Sequence, residues 1–251
     1  MFKFLLAAAV LTLGAAAAHA DDSEKAVRDA LHAVVPSATP DSVQKSELPG
    51  FYEIVIKGQV FFISNDGKYL VQGDVYNIPE KTSITSHAQA SFRREFLKKF
   101  PRDKLLVFAP PKPKHTVTVF TDVDCPYCRQ FHKQINAFNQ AGIAVQYVLF
   151  PLSIHPGADK KAVAVWCSAD RNAAYTAAMN GQDPGKQTCN NPVAETTAFG
   201  LKLGINATPT ILSENGTQVN GNYASDPKLL LAELDKIEGT VTTAKTPVAA
   251  K

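Results

Sequence analysis

The 251-residue chain is poor in cysteine, with four, and close to balanced in charge: 26 Lys and Arg stand against 23 Asp and Glu, a formal net charge of +3. The basic residues are scattered among acidic ones, so the stripe or patch of a nucleic-acid binder is missing. Lys98-Lys99 and Lys160-Lys161 read as solvated helix faces. Beyond the first twenty residues, no segment approaches the roughly 20 apolar residues that a membrane-spanning helix needs. No internal repeat is present. A second close cysteine pair is also missing. Structural zinc sites bring two short-spaced pairs, whereas here Cys125 and Cys128 are close and Cys167 and Cys189 stand far apart. The sequence therefore argues against bound metal, and nothing in it calls for a cofactor.

What is there begins with a targeting pattern. "MFKFLLAAAVLTLGAAAAHA" has a basic start at Lys3, an apolar run from Phe4 to Ala18, and a small-x-small ending at Ala18-His19-Ala20. That is a secretory signal with its cleavage site, too short and wrongly flanked for a stop-transfer helix. The mature chain is expected to start near Asp21, soluble and exported, with a charge of +2 once Lys3 leaves. An exported protein meets an oxidising compartment, so four cysteines imply two disulfides.

The sequence predicts a helix over 23–35, with Ser23 as N-cap and Ala26, Val27, Ala30, Leu31 and Val34 on one stripe. Short β-like runs follow: "FYEIVIKG", "QVFFIS" and "KYLVQGDVYNI", with a hairpin turn at Asn65–Gly67. A helical pattern runs from about Ser83 to Lys99, ended by Pro101. The apolar residues of this first part fit two readings, packing against its own helices or dimerisation by edge pairing. "APPKPKH" (109–115) marks a boundary or stiff spacer. "TVTVF" then reads as a strand, CPYC opens a helix over about 126–139, and "IAVQYVLFPL" is a second strand, giving a parallel βαβ unit. "DKKAVAVWCSADRNAAYTAAM" is helical, as is about 191–203; "TPTILS", "ENG" and "TQVNGNY" read as strand, turn, strand. "DPKLLLAELDKI" closes the chain as a helix capped by Asp226, with Pro227 at its first position. The tail 239–251 is small and aperiodic, with disorder expected.

Chemistry concentrates at Cys125-Pro126-Tyr127-Cys128. A disulfide across so short a loop adds little stability. At the start of a helix, the first sulfur lies near unpaired N–H groups that favour the thiolate, which is the nucleophile. Pro126 suits the first helical turn, and Tyr127 adds bulk. Cys128, one turn further in, is less exposed and can attack a mixed disulfide on Cys125; Cys125 is thus the attacking and Cys128 the resolving residue. Thr208-Pro209 stands just before an apolar strand, where proline is unusual because it removes a ladder donor. Given the CxxC, this bond is expected to be cis, as at the matching position of a thioredoxin-type fold. Pairing by neighbourhood joins Cys125 to Cys128 and Cys167 to Cys189, the second as a structural disulfide closing a loop worth about 3 kcal/mol. His132, the sequons at Asn206 and Asn215, and Asp122 and Asp124 all have packing, turn or capping explanations.

The chain resembles a family, the periplasmic disulfide isomerases DsbC and DsbG, over nearly all its mature length. The resemblance is carried by "DGKYLVQGDVYNI", "HTVTVFTDVDCPYC", "VWCSADRNAAYTAAM" and "LGINATPTILSENGTQVNGNY". It implies an α+β fold: signal 1–20, N-terminal sheet dimerisation domain 21–82, helical linker 83–112, thioredoxin-like α/β catalytic domain 113–238 with a helical insert, and tail 239–251. It also implies a homodimer that holds misfolded disulfide-containing exported proteins while Cys125 attacks a wrong disulfide, and a DsbD-type membrane reductase that keeps the pair reduced. Catalytic Cys125 and Cys128 would be supported by Pro126, Tyr127, Thr208 and Pro209. One departure stands out: DsbC usually has Gly at the position of Pro126, and CPYC is more like DsbG, whereas the Cys167/Cys189 pair is like DsbC. The alternatives are therefore a DsbA-type oxidase, a DsbG-like reductase of single oxidised cysteines, or a chaperone that does not use its thiols.

Overall fold

The computed structural model describes residues 14–244. Residues 1–13, most of the expected signal, and residues 245–251 of the expected tail lie outside the described residues. Among the described residues the chain divides into two compact units, 14–56 with Val60–Thr85 and Lys57–Gln59 with 86–244.

In the first unit, α1 (Gly14–Val34) is one continuous helix. Ser23 is consequently not an N-cap: the alanine-rich stretch before it has high helix propensity and carries the helix through that position. Val27 and Leu31 of α1 are buried with Tyr52, Ile54 and Ile63, forming this unit's small core. The sheet beneath has β1 (Ser42–Lys45), β2 (Phe51–Ile56), β3 (Gln59–Ser64) and β4 (Leu70–Gln72) in that order. Two successive positive φ values, 49° at Lys57 and 72° at Gly58, make the β2–β3 turn, the combination a two-residue type I′ hairpin demands. The expected turn at Asn65–Gly67 is present, with Gly67 N–H donating to Ser64 O at 2.8 Å. The run after it is not one strand. Gly73, at φ 137°, separates β4 from β5 (Tyr76–Asn77), which pairs with β6 (Thr82–Ser83).

From Ser86 on, α2 (Ile84–Lys99) belongs to the second unit. Its Arg93 is buried there, donating to Leu203 O and Gln218 Oε1, both at 3.2 Å. The sheet of this unit uses β7 (Leu106–Phe108), β8 (His115–Thr121), β9 (Ile143–Leu149), β10 (Thr210–Ser213) and β11 (Gln218–Val219) in the order β11-β10-β8-β9-β7. β8 and β9 are parallel, from His115 opposite Ile143 to Thr121 opposite Leu149, as the βαβ reading predicts. The other three pairings are antiparallel. β7 lies within 83–112, where only a helical linker is expected. Three residues are too few for periodicity to register, and the ladder against β9 is what makes them a strand.

Two expected helices are interrupted. The helix over 126–139 is α3 (Pro126–His132) and α4 (Ile135–Gln140). The helix through Trp166 is α5 (Ala158–Trp166) and α6 (Arg171–Met179), where Asp170 caps α6 by accepting from Ala173 N–H at 2.9 Å. After α7 (Val193–Lys202), α8 (Pro227–Ala244) closes the chain. Asp226 caps α8 as predicted, accepting from Lys228 N–H at 2.7 Å. Leu230, Leu234 and Ile237 bury its inner face in the core cluster that also holds Val117, Phe131, Phe138 and Tyr147. The backbone of 239–244 is helical, which corrects the expectation of disorder over that part of the tail. No helix among the described residues is long and apolar enough to cross a membrane.

Candidate active site

β8 ends at Thr121, and Asp122-Val123-Asp124 turns the chain into α3. The buried Asp122 carboxylate accepts from Asp124 N–H at 2.8 Å, from Leu152 N–H at 2.7 Å and from His155 Nδ1 at 2.8 Å. It ties two loops together, and its hydrogen bond raises the His155 pKa above the ordinary value. Asp124 pairs with Lys161 Nζ at 2.7 Å and Arg129 Nη2 at 3.2 Å. Lys161 is therefore tied down beside the site rather than simply solvated.

Cys125 is the N-cap of α3, extended at φ −75° and ψ 121°, and Pro126 occupies the first helical position, where no N–H is needed. Tyr127 is 71% exposed beside it. The Thr208–Pro209 bond is cis, and the Cys125 thiol donates to Thr208 O across 3.2 Å. Both thiols of the CPYC pair are free, and both residues are buried.

The two sulfurs are electrostatically unequal. The Cys125 pKa falls from an ordinary 9.0 to about 5. The largest cause is the hydrogen bond from Cys128; Thr208 and the backbone N–H groups of Cys128 and Tyr127 add to it, against the opposing effect of burial. The Thr208 hydroxyl is buried with no conventional partner among the described residues, which leaves it free to turn to this sulfur. Cys128 moves the other way. Burial pushes its thiol well up, and the neighbouring Cys125 sulfur pushes it further. At neutral pH the arrangement is one nucleophilic thiolate at the helix start, backed by one protonated thiol.

Behind Cys128 lies a polar cluster that sequence patterning does not reveal. Thr121 Oγ1 and Tyr175 OH are 2.8 Å apart. His132 bridges Tyr147 OH and Thr176 Oγ1, each at 3.0 Å, and burial holds its pKa down at about 4. His132 is thus a packing residue, as the sequence suggests. Asn215 accepts from Thr217 N–H at 3.0 Å within its turn. Cys167 and Cys189 are bonded to each other; Cys167 is half-buried and Cys189 is exposed. No group of three or more His, Cys, Asp or Glu among the described residues is placed to hold a metal ion.

Among solved structures, the crystal structure of a disulfide interchange protein from Neisseria gonorrhoeae is 34% identical, with 55% of this chain and 97% of that one covered at a TM-score of 0.48. Residues 16–86 match the family described as "Disulfide bond isomerase protein N-terminal domain", and residues 103–238 match the "Thioredoxin-like domain". The chain is 34% identical over 239 residues to the thiol:disulfide interchange protein DsbC of Dickeya dadantii, covering 94% of this chain and 96% of that one. It is 30% identical over 237 residues to DsbC of Salmonella typhimurium, with coverages of 93% and 95%. From these domain matches and this near full-length identity, the chain belongs to the DsbC family of thiol:disulfide interchange proteins.

Proposed function

We propose that this chain is a periplasmic disulfide isomerase in which Cys125 attacks and Cys128 resolves. The thiolate of Cys125 attacks a wrong disulfide in an exported protein and forms a mixed disulfide, releasing one client thiol. A free client thiolate then attacks the mixed disulfide, forms a corrected bond and returns Cys125 reduced. A client that stalls is released by Cys128, which leaves the pair oxidised and in need of a membrane reductase of DsbD type. The observation that carries this reading is the placement of the pair: Cys125 caps α3 with its sulfur 3.2 Å from Thr208 O beside the cis bond, Cys128 lies behind it at 1% exposure, and this placement lowers the Cys125 pKa and raises that of Cys128. Pro126 and Tyr127 shape the helix start; Thr208 and Pro209 shape the opposite wall. The Cys167–Cys189 bond is structural, remote in function from the exchange.

The working assembly is a homodimer joined through the N-terminal sheet unit, which presents misfolded clients to two catalytic units. Supporting this, β4 is an edge strand of its sheet, and Leu70 at its start and Tyr69 just before it are 40% and 66% exposed. The decisive experiment is refolding of a scrambled, multi-disulfide protein by the reduced full chain. Cys125→Ser should abolish it. Undiminished refolding by that variant would sink the isomerase reading and leave a chaperone that does not use its thiols.

A further inference from the structure

The resolving step has a chemical difficulty. Cys128 is 1% exposed and its thiol is held protonated, yet it must present a thiolate to the Cys125–client bond. The balanced step is Cys125–S–S–client plus Cys128–SH giving Cys125–S–S–Cys128 plus client–SH. The Cys128 proton ends on the departing client sulfur; the Cys128 sulfur supplies the electron pair of the new S–S bond, and the client sulfur leaves with the pair of the broken one. Whatever steadies the transient charge on Cys128 speeds this step.

Thr121, at the end of β8, is the side chain that favours the Cys128 thiolate as a hydrogen-bond partner. A threonine hydroxyl has one proton. It can serve a thiolate only while that proton is not committed to another acceptor, and a neighbour that donates to its oxygen keeps the proton available. Tyr175 is placed to do so: it is fully buried, and its hydroxyl lies 2.8 Å from Thr121 Oγ1. The neighbouring Tyr147 hydroxyl is taken up by His132. The Tyr175 ring packs tilted against the Tyr147 ring at 4.7 Å and edge-on against the His132 ring at 4.9 Å, so it is held in place by packing. A phenylalanine would fill the same apolar space, and the phenol oxygen is the part that packing does not explain.

We propose that Tyr175 is a positioning residue for the resolving step: it donates to Thr121 and so turns the Thr121 hydroxyl toward Cys128 Sγ as that sulfur loses its proton. With Cys128 protonated, the chain of hydroxyls is free to run the other way, Thr121 donating to Tyr175. Deprotonation reverses both bonds without moving a heavy atom. The titratable groups facing Cys128 are Cys125 on α3, Tyr147 on β9 and Tyr175 on α6. Burial pushes both tyrosines well up, so they stay neutral donors across the working range. Asp122 meets Cys128 through its backbone, its carboxylate being engaged with Asp124, Leu152 and His155.

This inference rests on Cys128 as the resolving thiol, and the test separates the two. The full chain carrying glutathione in mixed disulfide with Cys125 is allowed to release it, and the rate is followed from pH 5 to 9. Thr121→Val should slow release about tenfold, the loss expected for one hydrogen bond to a charged sulfur. Tyr175→Phe should slow it about threefold and shift the pH profile upward. The double variant should be no slower than Thr121→Val alone, because Tyr175 acts only through Thr121. Alkylation of Cys125 should keep its wild-type pH profile in all three. Release by Tyr175→Phe at the wild-type rate, or a double variant as slow as the product of the singles, overturns the proposal. If Tyr175→Phe does not fold, Thr121→Ser carries the test: it retains the hydroxyl and should release within about twofold of wild type, whereas a rate as slow as Thr121→Val overturns the proposal. Cys128→Ser should abolish release; if it does not, the resolving role itself is what fails.

Discussion

Replacing Cys128 by alanine removes the largest single cause of the depressed Cys125 pKa. In the wild type the thiolate of Cys125 is half formed at about pH 5, so at pH 7 it outnumbers the thiol about a hundredfold. A hydrogen bond to a charged group contributes about 1.5–3 kcal/mol. One pH unit corresponds to about 1.4 kcal/mol, so the variant's pKa should rise by about 1–2 units. Thr208 and the N–H groups of Tyr127 and Cys128 remain in place and keep it below the ordinary 9.0. The assay is the rate of alkylation of Cys125 by iodoacetamide against pH in the reduced full chain. The same shift has a stability counterpart in the wild type. The folded pKa lies below the unfolded one, so the contribution is absent below pH 5. It grows by about 1.4 kcal/mol per pH unit up to the unfolded value of about 8.5, and stays constant above it. At pH 7 the reduced protein should hold part of this stabilisation, lost as pH falls towards 5. Cys128 stays neutral in the folded chain across that window and adds no slope. The oxidised protein lacks both thiols and with them this contribution, while the loss that buried His132 brings as pH falls below about 6.5 is common to both forms, so the reduced-minus-oxidised difference isolates Cys125. An alkylation midpoint near 9 in the wild type would refute the electrostatic account. A midpoint unmoved in Cys128→Ala would refute the part assigned to Cys128.

Two other perturbations separate assembly and scaffold from chemistry. Ser64 N–H of β3 donates to Tyr69 O just before β4, and the alternation of an antiparallel ladder then turns the Leu70 N–H to the open edge. Leu70→Pro should therefore leave the β3 pairing intact, convert the dimer to monomer in sedimentation, and reduce refolding of scrambled substrates more than alkylation of Cys125. Replacing Cys167 and Cys189 together by serine opens a loop with a sequence separation of 22. Chain entropy sets the expected loss at about 3 kcal/mol in denaturant unfolding, with the Cys125 alkylation profile unchanged.

The βαβ core was legible because its signals are local and strong. A β-branched run, a CxxC with proline at the helix start, and a second apolar run identify strand, helix and strand without help from distant residues. Asp226-Pro227 announces its helix in the same way. Ser23 misleads because a cap signal competes with alanine propensity on both sides, and propensity wins. The interruption between α3 and α4 is weakly marked, since Lys133 and Gln134 are good helix formers. β7 carries too few residues to have a period, and Gly73 divides a run whose composition is β-like throughout.

The site divides along the same line. The CPYC motif can be read from its place at a helix start and the proline at 209 from its place just before an apolar strand; the order of attack expected of Cys125 and Cys128 follows from their positions at that helix start. Residue spacing alone also pairs Cys167 with Cys189. The family resemblance already implies that Thr208 and Pro209 support the CxxC; the 3.2 Å contact of the Cys125 sulfur with Thr208 O, the extent of the opposed pKa shifts and the hydroxyl pair behind Cys128 belong to the tertiary structure. Thr121 and Tyr175 are 54 residues apart in sequence. Neither departs from the pattern of its own strand or helix. A pKa is set by burial and by the donors within reach, and those are fixed only when β8, α3, α6 and the loop before β10 close around one another.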